Sequence, residues 1–181
     1  MLGPRLAKLV TDDYAMSAVV SWARSFVRTG DLNETERDQA REVEAAIEAM
    51  YLMATADGEL AQAELALLSA SVGAMVEACE GTGASRSELG LPVLKLGELI
   101  GRFERRLAAE GLPARWRSVT ERLVSLPSRR LAFRLAAGVA FADDFVAHGE
   151  VESLDALAEA LGFAKDEALS TLKEVHTALG V

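Results

Sequence analysis

The side chains of this chain best suited to chemistry are carboxylates, and they come in two sets of the same grammar. The first is Ala56-Asp57-Gly58-Glu59-Leu60, with Glu64 four residues on. The second opens with Ala142-Asp143, carries the insert Asp144-Phe145-Val146-Ala147-His148, and resumes as Gly149-Glu150-Val151 with Asp155 four residues on. Across the insert each reads Ala-Asp, Gly, any residue, aliphatic, three residues, acid. Carboxylate, carbonyl and water oxygens are what hard cations such as Ca²⁺ and Mg²⁺ prefer. Asp57, Glu64, Asp143 and Asp155 are therefore the candidate metal ligands, with Asp144, His148 and Glu150 as further candidates. An EF-hand would need acids at alternate positions ahead of its Gly, where this chain has Thr55 and Ala56. Any such site is irregular and completed by solvent.

Structural roles compete for the same residues. Asp side chains accept hydrogen bonds from backbone N–H groups just downstream and tolerate tight turns. At a helix C-terminus they also meet the negative end of the dipole, at about 0.3–1 kcal/mol each. Glu64 and Asp155 sit where a capping box places its acid, but Ala61 and Glu152 lack the hydroxyl that completes the box. Cation binding and turn structure both remain open.

Other chemistries are poorly served. The single Cys79 excludes a disulfide framework and a Cys-rich zinc site. His148, beside Asp143 and Asp144, could ligate a transition metal, but a lone His is expected in a polar loop. The carboxylate-rich donor set favours Ca²⁺ or Mg²⁺ over Zn²⁺. Lys173 and Phe145 stand three residues before His176 and His148, so the Glu-x-x-His pairs of di-iron bundles are absent. Gly81-x-Gly83 has Arg86 where a dinucleotide fingerprint needs its third Gly, and no strand precedes it. No nucleophile–base pair, ligand cluster or phosphate loop appears, so no enzyme activity is expected. Trp22, Trp116, Met50, Met53 and Cys79 are expected in the core.

The elements that must position the acids are helices. The chain has 181 residues, half of them apolar, with only 4 Pro, and its Ala, Leu and Glu content favours helix. Thr11-Asp12-Asp13 starts a helix towards Arg28, after a short first helix that begins near Pro4. Asn33 caps a long helix over 34–56, whose Ala40, Val43, Ile47, Met50 and Ala54 mark one face. Further helices are expected at about 61–80, 93–109, 113–125, 128–145, 152–161 and 165–179. The Gly-, Ser- and Pro-rich stretch 81–92 reads as the one long loop. The expected architecture is a single all-α domain over 1–181, a bundle of about seven to nine helices with the two acidic turns in helix–turn–helix units.

On these motifs the chain resembles the tellurite-resistance TerB-like family. The resemblance runs through 50–68 (MYLMATADGELAQAELALL) and 126–175, where Leu161-Gly162-Phe163 leads into the last helix. It covers a core of about 34–178, leaving the helices over 4–28 as an addition. The second copy differs by five inserted residues and by the lost Asp-Gly adjacency. The resemblance implies an all-α bundle in a bacterial cytosolic or membrane-peripheral setting. It also implies metal-ion binding and a tellurite or stress response in place of catalysis. Similar modules occur in multidomain proteins, including membrane-anchored DnaJ-like co-chaperones.

Charge suggests the alternative function. The chain carries 19 basic and 28 acidic side chains, a net charge of −9, which disfavours nucleic acid as a partner. Residues 102–134 hold nine Arg (Arg102, Arg105, Arg106, Arg115, Arg117, Arg122, Arg129, Arg130 and Arg134) against Glu104, Glu110 and Glu121. Acidic segments flank this basic middle. The metal-free alternative is a protein-interaction or scaffold module that docks through these poles. The plainer reading is a salt-bridged face. No run reaches the roughly 20 apolar residues of a membrane span, and no signal-type apolar core precedes Asp12, so a cytoplasmic location is expected.

Overall fold

The computed structural model describes residues 5, 7–10, 12–27, 30–56, 62–141 and 148–180. They form a 3₁₀ turn at Ala7–Leu9 and eight α-helices, and no strand occurs among the described residues. The helices are α1 (Asp13–Ser25), α2 (Glu34–Ala54), α3 (Gln62–Ala78), α4 (Arg86–Glu110), α5 (Leu112–Arg122), α6 (Leu126–Ala140), α7 (His148–Ala160) and α8 (Lys165–Leu179). The all-α bundle read from the sequence is the fold observed.

Local chemistry sets most boundaries. Asp12 caps α1, accepting from Ala15 N at 2.7 Å. Asn33 and Glu36 complete a capping box at α2, satisfying two of the N–H groups a helix start leaves open. The loop expected at 81–92 is shorter than its composition suggests. Ser85 and Glu88 form a second capping box, so α4 begins at Arg86 and carries Pro92 inside it. The Ser-x-x-Glu spacing outweighs the breaker signal of Pro92, which is buried with Leu89 and Leu96 on the inner face. Gly111, at φ 82°, takes the positive-φ break that ends α4 and admits α5, a conformation that costs a side-chain-bearing residue.

Helix α2 is the axis of the molecule. Every residue from Ala45 to Ala54 is buried, so the helix is enclosed on all sides and not on the single face its periodicity suggests. Helices α1, α5 and α6 surround it. Helix α1 runs antiparallel to it: Tyr14 Oη donates to Glu42 at 3.1 Å, and Ser21 Oγ donates to Gln39 at 2.8 Å. Trp22, fully buried, belongs to the same core as Ile47, Met50 and Met53.

The most extensive packing is between α2 and α6. Both helices are rich in small buried side chains, Ala45, Ala46 and Ala49 on α2 and Ala132, Ala136 and Ala137 on α6. Ridges this low let the two backbones approach closely. Ser125, the N-cap of α6, donates from N and Oγ to Glu42 at 2.9 and 2.8 Å. From that point α6 can cover the buried part of α2 only by running parallel to it, because the first turns of α2 are exposed. At about 1.5 Å per residue, Ala54 and Ala140 then reach the same end. The two helices that lead into the acidic motifs lie side by side and finish together.

Candidate functional site

The acids singled out by the sequence fall in different places. Asp57, Asp143 and Asp144 lie outside the described residues. Glu64 is the third residue of α3, where its charge favours the helix N-terminus. His148 and Glu150 fall in the first turn of α7, which starts four residues before the expected 152 and takes His148 out of the loop assigned to it. Asp155 is consequently the eighth residue of α7 and exposed. A capping box at Glu152 and Asp155 is excluded, since both are inside the helix. Helices α3 and α7, which carry Glu64 and Asp155, are not among the closely packed pairs. No group of three or more His, Cys, Asp or Glu arranged to hold a metal occurs among the described residues.

The Arg-rich segment is spent largely inside the molecule. Arg115 Nε and Nη2 donate to Glu48 Oε1 at 2.8 and 2.6 Å, and its Nη1 meets Glu110 at 2.8 Å. Arg122 Nη2 donates to the other oxygen of Glu48. Glu48 is 0% exposed and Arg115 5%. Burial alone would lower the Arg115 pKa, but the bonds to Glu110 and Glu48 raise it. A charge at this depth is tolerable only when paired. Arg102 meets Glu44 at 3.8 Å, Arg130 meets Glu167 at 3.3 Å, and Arg134 meets Asp12 at 3.3 Å and Glu174 at 3.7 Å. Arg129 Nε donates to the Leu123 carbonyl at 2.8 Å. Salt bridges do form, but with mostly different partners: of the three interleaved acids, only Glu110 has an ion pair among the described residues.

Sequence reasoning missed Glu48. The available signal was a lone acid among the apolar residues 45–54, facing an Arg-rich segment further along the chain.

A second feature emerges beside the end of α2. Ala56, α5 and α7 enclose an open cleft of about 590 Å³. Its apolar lining is Leu112, Pro113, Trp116, Ala156, Leu157 and Ala160. Trp116 is not the core residue expected; it is half-buried, packing on the core from this wall. Arg117 and Thr120 stand on the α5 side, and Glu152 and Ser153 on the α7 side. Glu152, Asp155 and Glu159 are all exposed, and their spacing puts them along one side of α7. Trp22, Met50, Met53 and Cys79 are in the core as expected. Burial pushes the Cys79 thiol up to about 11, which leaves little thiolate at neutral pH.

Comparisons with protein-family models, with curated proteins and with solved structures find no match to this chain.

Proposed function

We propose that the chain is a TerB-like helical module that gathers a divalent cation, Ca²⁺ or Mg²⁺ in preference to Zn²⁺, between its two acidic motifs. One observation carries the reading: α2 and α6 run parallel and end together, so the helices preceding Asp57 and Asp143 finish on one side of the bundle. A shared site needs this, because ligand oxygens must come within about 2.3–2.6 Å of one Ca²⁺. The ligand set is weighted to Asp57, Asp143 and Glu64, with Asp144, His148 and Glu150 beside them. Asp155 is demoted because it lies two turns into α7 on an exposed face. The module acts without catalysis, in a cytoplasmic bacterial stress response; no helix among the described residues is long and apolar enough to cross a membrane.

Melting temperature with and without millimolar Ca²⁺, Mg²⁺, Mn²⁺ or Zn²⁺ tests the reading. At a concentration of about 100 times Kd a bound ion adds about 2.7 kcal/mol. Asp57→Asn relieves a dipole penalty of only about 0.3–1 kcal/mol, so it should abolish the ion response while leaving the metal-free protein as stable or slightly more so. A wild type indifferent to all four ions leaves the acids a purely structural role. The second reading, a metal-free interaction module, is favoured by the cleft between α5 and α7, since most of the Arg segment is already paired internally.

A further inference from the structure

We propose that the cleft between α5 and α7 receives a basic amphipathic helix of a partner protein, its apolar face on Trp116 and Leu157 and its cationic flank along α7. This goes beyond the cation reading and does not depend on it. The shape argues for a helix. The walls are helices of 11 and 13 residues, about 16–20 Å long, and two such walls present a groove into which the ridges of a third can pack. Strand addition has no counterpart here, because no sheet edge exists among the described residues. The apolar lining needs cover along a strip, and Ala156 and Ala160, one turn apart and both exposed, leave room for larger side chains to enter.

Charge selects the occupant. Glu152 lies in the α7 wall, and helix spacing puts the exposed Asp155 and Glu159 on the same side of α7 as Glu152, flanking the cleft. Among the described residues Asp155 and Glu159 have no ion pair. The opposite wall contributes Arg117, likewise without an ion pair among the described residues. A helix with Lys or Arg on the flank facing α7 meets an acidic rim on a chain of net charge −9, whereas an acidic helix meets repulsion. A second copy of the chain would bring its own acidic α7 to that rim.

The protein supplies its own reporter. Of its two Trp residues, Trp22 is buried in the core and Trp116 lines the cleft. The full chain in EDTA is titrated with a 15-residue Leu/Lys amphipathic peptide, a scrambled peptide of the same composition, and a Leu/Glu peptide with the same apolar face. The Leu/Lys peptide should shift the Trp116 emission to the blue and saturate; Trp116→Phe should remove the shift. The Leu/Glu peptide should bind at least about tenfold more weakly, and Asp155→Lys with Glu159→Lys should cost the Leu/Lys peptide roughly tenfold. Ala156→Phe with Ala160→Phe fills the cleft without changing charge and should abolish binding. If that variant fails to fold, the surface change Asp155→Lys with Glu159→Lys decides alone. Equal binding of the scrambled peptide, binding that survives a folded cleft-filled variant, or no shift at millimolar peptide overturns the proposal. So does an emission shift on concentrating the protein alone, which would assign the cleft to a second copy.

Discussion

Around Glu48, two guanidinium groups share one carboxylate and Glu110 takes the remaining face of Arg115. Just past the end of α2, Ala56 opens onto the cleft, where Arg117 is exposed, as are Asp155 and Glu159 on the neighbouring side of α7. The residue types are the same, but their solvation differs. A buried carboxylate must be met by donors in good geometry, or the fold bears the desolvation of an isolated ion. At the rim water solvates each charge, and an exposed pair contributes only about 0–1 kcal/mol. The first region therefore holds α5 against α2. The second stays chemically open, and charge there governs what may approach instead of what stays folded.

The largest effect is expected from Glu48→Ala. It removes the buried partner of Arg115, leaving that buried guanidinium only the exposed Glu110, and should cost about 3–5 kcal/mol, read as the urea midpoint and melting temperature. The same measurement on Arg117→Ala should move stability by no more than about 0.5 kcal/mol. A loss below about 1 kcal/mol for Glu48→Ala would erase the distinction between the two regions.

Ser125→Ala asks whether the closed region extends to the start of α6. It removes the N-cap acceptor of Ser128 N at 3.2 Å and the donor to Glu42 at 2.8 Å. The expected cost is about 1–2 kcal/mol, a drop of roughly 2–8 °C in melting temperature for a chain of this size. Because Asn keeps a capping acceptor, Ser125→Asn should recover part of it.

Alkaline titration sharpens the contrast further. Burial pushes the Tyr14 phenol up to about 12, with the Ser125 bond opposing and the neighbouring Glu42 charge adding to the rise. The folded state thus keeps protons that the unfolded chain releases above its ordinary values of 9.0 for Cys79 and 10.0 for Tyr14. Stability should be fully present below about pH 9 and fall as pH rises towards 12. Urea midpoints at a series of alkaline pH values check the slope. Cys79→Ala should remove the earlier part of the fall, while Asp155→Ala at the rim should leave the curve unchanged.

Much of the helix pattern was legible because it depends on neighbours in sequence. Asn33 followed by Glu36 announces the start of α2, and Gly111 its φ-permissive break between α4 and α5. The same local signal was overlooked at Ser85 and Glu88, where Gly and Pro density suggested a loop. The site was less legible. The two acidic motifs and their likeness to one another stand in the sequence, where Asp155 reads as a metal ligand or as the acid of an incomplete capping box, but the start of α7 at His148 puts it inside the helix. Trp116 read as core because hydrophobicity alone does not distinguish a fully enclosed aromatic from one lining a cleft.

An all-helical chain, its principal caps, a core built on Trp22, Met50 and Met53, and two acidic motifs each following a long helix are legible in short stretches of residues. These depend on periodicity, capping and burial preference, which act over a few residues. The tertiary structure decided that α2 is enclosed on all sides, that α2 and α6 run parallel, that Glu48 is shared by Arg115 and Arg122, and that Ala56, α5 and α7 frame a cleft. Each joins residues far apart in the chain, so no local pattern encodes it. The pairing of Glu48 with Arg115 spans 67 positions, and only packing, by excluding water from both, makes that contact obligatory.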